Sequence, residues 1–404
     1  MRATERGRFV PCAILLGVLP GLVAVAGRGP ADEARVIAAG EQGGVQTVVI
    51  TAAVLRALPE WRIGEPVLRI GEDPNDLDAV LHGAGLPVRL SDGRIAVPNE
   101  EKEIRYYDAG GKLITVAGQR GQGPGDFRQL RSIHPLPGDS LLAFDSYAAP
   151  ASRFSVFSPA GRYVRLDELD ARSAAGLVML PDRAIVRTWS DGARRRAAMS
   201  AGAIGIVHDT ALVLLTRLTG KTDTLMRVPA SPSAIVSPTS WTGVVLAAGS
   251  LLAGGPGGIV AGYGDSFELH WFDTNGKPVR IVRVDAPRER VTDAMKERYE
   301  RSQPRPSRAV AREEGLRPTP IYASHLPVLA RIRMDRAGRL WVRRWTFDDE
   351  PTTEWIVFTA GGRPVARMQF PSTFTFHDAD TNYVLGRYTD PDGVESVRMY
   401  RPRP

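Results

Sequence analysis

An all-β chain built from one repeated antiparallel unit is predicted by three features of the sequence. First, five hydrophobic runs end in a glycine turn and restart with a branched or aromatic residue: Tyr106–Ile114, Val156–Val164, Leu214–Leu225, Trp271–Val279 and Val357–Val365. Each reads as strand, tight turn with glycine at positive φ, basic residue, strand. Second, a polar Asp/Gly turn flanked by apolar runs precedes each of them, at Leu90–Val97, Leu136–Phe144, Leu180–Val186, Gly254–Val260 and Met334–Val342. His377–Leu385 is a degenerate sixth copy. Third, the unit repeats: 45 residues from Gly93 to Gly138 and 44 from Gly138 to Asp182, with insertions lengthening the steps from Asp182 to Gly257 and from Gly258 to Gly338. Four antiparallel strands at that period make a propeller blade.

Taken in order, the chain opens on a basic stretch (Arg2, Arg6, Arg8), an apolar run from Phe9 to Val25 broken by Pro11 and Pro20, and a small-x-small site at Ala24–Ala26. This is the pattern of a secretory signal over 1–26, shorter than a span of roughly 20 residues needs. Cys12, the one cysteine, lies inside it, so the exported chain has no disulfide and no thiolate chemistry. Its stability rests on an apolar core, which 43% hydrophobic residues can supply. The net charge of +7 falls to +5 once three arginines and Glu5 are removed, a modest excess that does not call for nucleic acid.

Residues 27–60 form an N-terminal extension, in which Val45–Val54 is either a stray strand or a short helix. Glu65–Gly71 is an isolated strand ahead of the first complete unit, while the last unit has three: Phe374–His377, Tyr383–Tyr388 and Ser396–Tyr400. Adding the first to the last gives a six-bladed propeller over 61–404 whose last blade is closed by an N-terminal strand, with no dangling edge. The alternative is seven blades, with Val45–Thr51 or the 207–253 region supplying the extra sheet. One insertion, 286–325, carries a predicted helix over Val291–Arg301, then Pro304, Pro306, Pro318 and Pro320. Its nine basic and six acidic residues between Arg288 and Arg317 read as a solvated arm.

The units resemble the NHL-repeat-related six-bladed propellers of exported bacterial proteins, within the TolB/NHL-like superfamily. Gly118-Gln-Arg-Gly-Gln-Gly-Pro-Gly-Asp-Phe127 carries the resemblance most specifically. It implies a fold and a periplasmic or extracellular address. It does not imply a reaction.

Propeller topology places the tight turns on one face and the long loops (71–85, 118–131, 146–152, 190–206, 286–325, 346–353) on the opposite, crossover face. Rigid scaffolds put binding residues on such loops. Candidates there are Arg120, Arg128 and Arg131 around the Gly-Pro-Gly loop, Tyr147, Trp189, Arg194, Arg195, Arg196, Trp241, Trp345 and Phe347, with Asp348, Asp349 and Glu350 supplying negative charge. Trp, Tyr and Arg dominate interface hot spots. The expected function is an exported, monomeric, non-catalytic binding or scaffold propeller, without cofactor or membrane anchor, for a protein or small ligand. A sensor or surface-assembly role overlaps it. The alternative is a hydrolase or lactonase holding calcium or magnesium in the channel through Asn99, Asp145, Asp378 and Asp380, since oxygen ligands suit those ions. Pro124 and a following strand exclude a dinucleotide loop at Gly121–Gly125. Six scattered histidines form no motif.

Overall fold

The computed structural model describes residues 38–73, 80–146, 153–167, 176–180, 182, 185–217, 220–302 and 320–403. The signal expected over 1–26, Tyr147 and the arm between 303 and 319 lie outside the described residues.

Six sheets each carry a set of four antiparallel strands. Sheet 1 is Val88–Arg89, Ile95–Asn99, Glu103–Tyr107 and Leu113–Ala117. Sheet 2 is Leu130–Pro135, Leu141–Asp145, Arg153–Phe157 and Tyr163–Asp167. Sheet 3 is Gly176–Met179, Ile185–Trp189, Thr210–Thr216 and Thr222–Pro229. Sheet 4 is Ser250–Gly255, Gly258–Tyr263, Glu268–Phe272 and Pro278–Asp285. Sheet 5 is Leu329–Met334, Leu340–Arg344, Thr352–Phe358 and Pro364–Pro371. Sheet 6 is Phe374–Asp380, Tyr383–Thr389, Glu395–Tyr400 and, from the other end of the chain, Leu68–Ile70. The last pairing runs Val397 to Ile70 and Met399 to Leu68.

Burial follows position within a sheet. Ile95–Asn99, a second strand, is buried at every residue, because both faces meet neighbouring sheets. Leu113–Ala117, an outermost strand, alternates, because one face meets water. Hydrophobic clusters join successive sheets: 1 with 2 around Phe127 and Phe157, 2 with 3 around Phe154, 3 with 4 around Val213 and Phe272, 4 with 5 around Trp271 and Phe358, and 5 with 6 around Trp341 and Phe376. A sixth cluster, with Ile95, Tyr107, Leu385 and Ile70, joins sheet 6 to sheet 1. Each fully buried Leu, Ile or Phe contributes about 1.5–3 kcal/mol, so these wedges supply the bulk of the core.

The five glycine hairpins join the third and fourth strands of sheets 1 to 5, and Asp390–Val394 supplies a sixth in sheet 6, between its second and third strands. All share one bonding pattern, in which the turn's first N–H donates to the residue four on and the glycine N–H donates back. The sixth is not among the five read from sequence because valine, not a basic residue, follows its glycine. A Cβ on Gly276 would lie 2.6 Å from Leu225, and one on Gly362 would lie 2.9 Å from Arg280, both on the outermost strand of the preceding sheet. A Cβ on Gly111 would meet Leu68, Ile70 and the Arg69 carbonyl in the same way.

The N-terminal segment runs along three outer edges in turn. Val45–Thr51 adds parallel to Pro278–Asp285 of sheet 4, with Ile50 fully buried. Helix α1, Ala52–Arg56, follows, its first turn capped by the Thr51 hydroxyl. Glu60–Ile63 then adds parallel to Pro364–Pro371 of sheet 5, and Leu68–Ile70 reaches sheet 6. The 207–253 region contributes a small separate sheet, Gly205–Val207, Ser233–Ser237 and Ser240–Gly243, instead of a four-stranded unit. Helix α2 spans Ala193–Ser200, and α3 spans Asp293–Ser302, starting two residues later and ending one residue later than the expected 291–301 helix.

Candidate functional site

The long connections gather at one end of the sheets. Between sheets 3 and 4 they enclose a cleft of ≈ 680 Å³ lined by Trp189, Arg195, Asp209, Trp241, Arg331 and Arg333. Gly192, at φ 64°, turns the chain into α2, and the buried Asp209 carboxylate accepts the Arg194 N–H at 2.9 Å. That start aims Arg195 into the cleft. Its guanidinium lies 3.9 Å over the Trp241 ring and donates to Ser233 Oγ at 3.2 Å. Trp241 is still 47% exposed, so half its surface faces the opening. Arg194 donates to the His208 carbonyl and Arg196 to the Asp191 carbonyl; both side chains stay outside the cleft lining.

Between sheets 4 and 5 a second cleft, ≈ 880 Å³, holds Trp345 and Phe347 in edge contact, with centroids 4.8 Å apart. Here α3 supplies its own occupant. Arg298 lies 4.4 Å over Phe347 and bonds Asp349 at 2.9 Å and Glu350 at 2.7 Å. These hydrogen bonds push the Arg298 pKa up and hold Asp349 below the ordinary carboxylate range. Asp348 is exposed.

Arg120, Arg128 and Arg131 are exposed and line neither cleft. Arg131 pairs with Glu101 at 3.2 Å. The Gly-Pro-Gly segment around them is a structural crossover. Phe127 is fully buried between sheets 1 and 2, and a Cβ on Gly118 would come within 2.4 Å of its ring.

The four oxygen donors proposed for a metal are not brought together. Asn99 and Asp145 end the second strands of sheets 1 and 2, at the crossover end. Asp378 and Asp380 sit at the turn end, on the first strand of sheet 6. Asn99 accepts the His82 N–H and donates to Glu103, and Asp145 accepts two backbone N–H groups and the Arg153 guanidinium. Asp378 is engaged by Arg336 and the Tyr383 hydroxyl, and Asp380 accepts the Thr381 N–H. Among the described residues no group of three or more His, Asp or Glu side chains is arranged to hold a metal.

A third feature escaped the sequence reading. The innermost strands of all six sheets bound a cavity of ≈ 580 Å³, reached by Val88, His134, Val178, Gly254, Arg333 and His377. Arg331 and Arg333 alternate on one face of Leu329–Met334, and Arg331 stands directly opposite Arg343 on the next strand. Burial pulls the Arg333 pKa down to about 9 and His134 down to about 4. His377 is pushed well below its ordinary value by burial and by the nearby Arg333. Ser132 Oγ lies 2.9 Å from His134 Nε2.

No protein-family model and no curated protein matches the chain. Among solved structures it is similar to a protein of Bacteroides fragilis thought to be exported, at 8% identity and a TM-score of 0.46, over 88% of this chain and 99% of that one. It is also similar to the β-propeller domain of the Trilobed protease of Pyrococcus furiosus, at 12% identity and a TM-score of 0.38, over 79% of this chain and 83% of that one.

Proposed function

We propose that the chain is a closed six-bladed β-propeller of the NHL-repeat-related kind, exported through its N-terminal signal, which binds a ligand at its crossover end without transforming it. Three observations support the architecture: six four-stranded sheets, clusters between every successive pair including the last and first, and one cavity bounded by all six inner strands. Binding rests on one observation, the Arg195 guanidinium stacked on a half-exposed Trp241 at the mouth of the sheet 3–4 cleft. A rigid aromatic and a partly satisfied guanidinium make a surface for a planar group on a small ligand or a protein loop. The Trp345–Phe347 cleft is filled by Arg298 and is a secondary candidate.

The test is a melting-temperature screen of the purified protein against planar aromatic compounds, repeated with Trp241→Ala and Arg195→Ala. Compounds that raise the wild-type midpoint but leave both variants unmoved support the cleft. Equal shifts in all three proteins, or no shift with any compound, would remove it.

A further inference from the structure

We infer that the junction between the central cavity and the sheet 3–4 cleft is a binding site for a small carboxylate or phosphate-type oxyanion, held by Arg331 and Arg333 with Arg343 beside them. This goes beyond the crossover-cleft reading and does not depend on Arg195 or Trp241.

The geometry sets up an unbalanced positive charge. Arg331 and Arg343 are register partners on adjacent strands, where like charges repel. Arg333 follows two residues on, on the same face, and reaches both the cleft and the cavity. Among the described residues none of the three has a carboxylate within salt-bridge distance, whereas Arg153, Arg298, Arg336 and Arg339 each have one. The Nε atoms of Arg333 and Arg343 are buried without an acceptor, and so is Nδ1 of His377 on the facing strand. Asp378, the acid that acts on Arg333, is already shared by Arg336, Tyr383 and the Arg89 N–H, and Asp348 acts on Arg343 only from beyond salt-bridge distance.

Like charges crowded together without counter-charge are costly, and the buried Nε donors of Arg333 and Arg343 without acceptors add to that cost. An oxyanion removes both defects. The planar guanidinium presents paired N–H groups in the spacing that carboxylate and phosphate oxygens accept. His134 and His377, held neutral by burial, can add N–H donors without adding charge. The cavity is large enough for a small acid and is ringed by apolar strands that strengthen each charged contact.

The experiment is calorimetric titration of the full chain with inorganic phosphate and, separately, succinate, each against sodium chloride at equal ionic strength. One saturable site is expected for at least one anion, and which anion binds distinguishes a phosphoryl from a carboxyl ligand. Arg331→Gln and Arg333→Gln should each weaken it about tenfold or more, the loss of one charge-assisted contact. Arg301→Gln, on the exposed side of α3, should leave it unchanged. In chloride alone Arg331→Gln should melt at or above the wild-type temperature, since it removes a like-charged neighbour. Absence of saturable heat with both anions, or undiminished binding in Arg331→Gln and Arg333→Gln, would overturn the site. Should Arg333→Gln fail to fold, Arg331→Gln, whose side chain is exposed and lines the sheet 3–4 cleft, decides alone.

Discussion

Asp145, 1% exposed, accepts from the Arg128 and Gln129 N–H groups and the Arg153 guanidinium, and through them holds the crossover from sheet 1 to sheet 2. A buried carboxylate so placed cannot be removed cleanly. Asp145→Ala should lower unfolding stability by about 3–5 kcal/mol, because Arg153 is left uncompensated, and Arg153→Met in the same background should recover part of it. Denaturant midpoints check both. Because its oxygens and those of Asn99 are already taken, neither calcium nor magnesium should bind there with stoichiometric heat. A calcium or magnesium titration giving one ion per chain, abolished by Asp145→Asn, would restore the metal reading. The channel histidines bear on pH. His134 is neutral when folded, with its pKa near 4 against 6.5 in the unfolded chain. A depressed histidine leaves stability intact above pH 6.5 and loses it as pH falls from 6.5 toward 4, at about 1.4 kcal/mol per pH unit for each proton taken up on unfolding. His134→Gln should flatten that slope in a pH series of melts. None of this was visible in the sequence. Ile332 and Met334 alternate with Arg331 and Arg333, which is also how a strand with a solvated face reads. Only the packing of the inner strands around the cavity turns that face inward.

At the scale of elements, the glycine hairpins were legible because one physical requirement recurs: a φ that L side chains avoid, next to a neighbouring sheet. Gly362 (φ 72°) meets both conditions, with Arg280 and Val282 at 2.9 and 3.0 Å from a Cβ, whereas Gly138 (φ 75°) has open space. Gly362→Ala should therefore cost more than Gly138→Ala. Strain at φ costs about 1–3 kcal/mol in each, and the clash adds to it only at Gly362. Thermal melts of the two variants separate the terms. The strand at 65–71 was legible too, because a three-stranded last unit leaves an edge that must be paired. The parallel addition of Val45–Thr51 was not. Its apolar run fits strand or helix equally, and the deciding partner, Pro278–Asp285, lies far along the chain. The aromatic–arginine loops were picked out by residue type alone. The structure brings Arg195 to Trp241, and Arg298 to Phe347, a pairing that no local pattern encodes.

For the whole molecule, the seam is where the first and last parts of the chain meet. Leu68–Ile70 completes sheet 6 and also packs against Gly111 of sheet 1. Ile70→Asp should thus loosen two sheets at once, giving a broadened, earlier melt and faster proteolysis, while Ile114→Asp on the exposed edge of sheet 1 should leave both unchanged. A variant at Ile70 that melted like the wild type would show the seam to be dispensable. The same seam sets an order of events. Residues 45–70 are made well before their strand partners at 278–285, 364–371 and 395–400. Val45–Thr51 has no partner edge until Asp285 has been made, Glu60–Ile63 none until Pro371 and Leu68–Ile70 none until Tyr400. Contacts this distant in sequence close slowly. Each strand of that N-terminal segment thus waits, in chain order, for a partner made more than two hundred residues later.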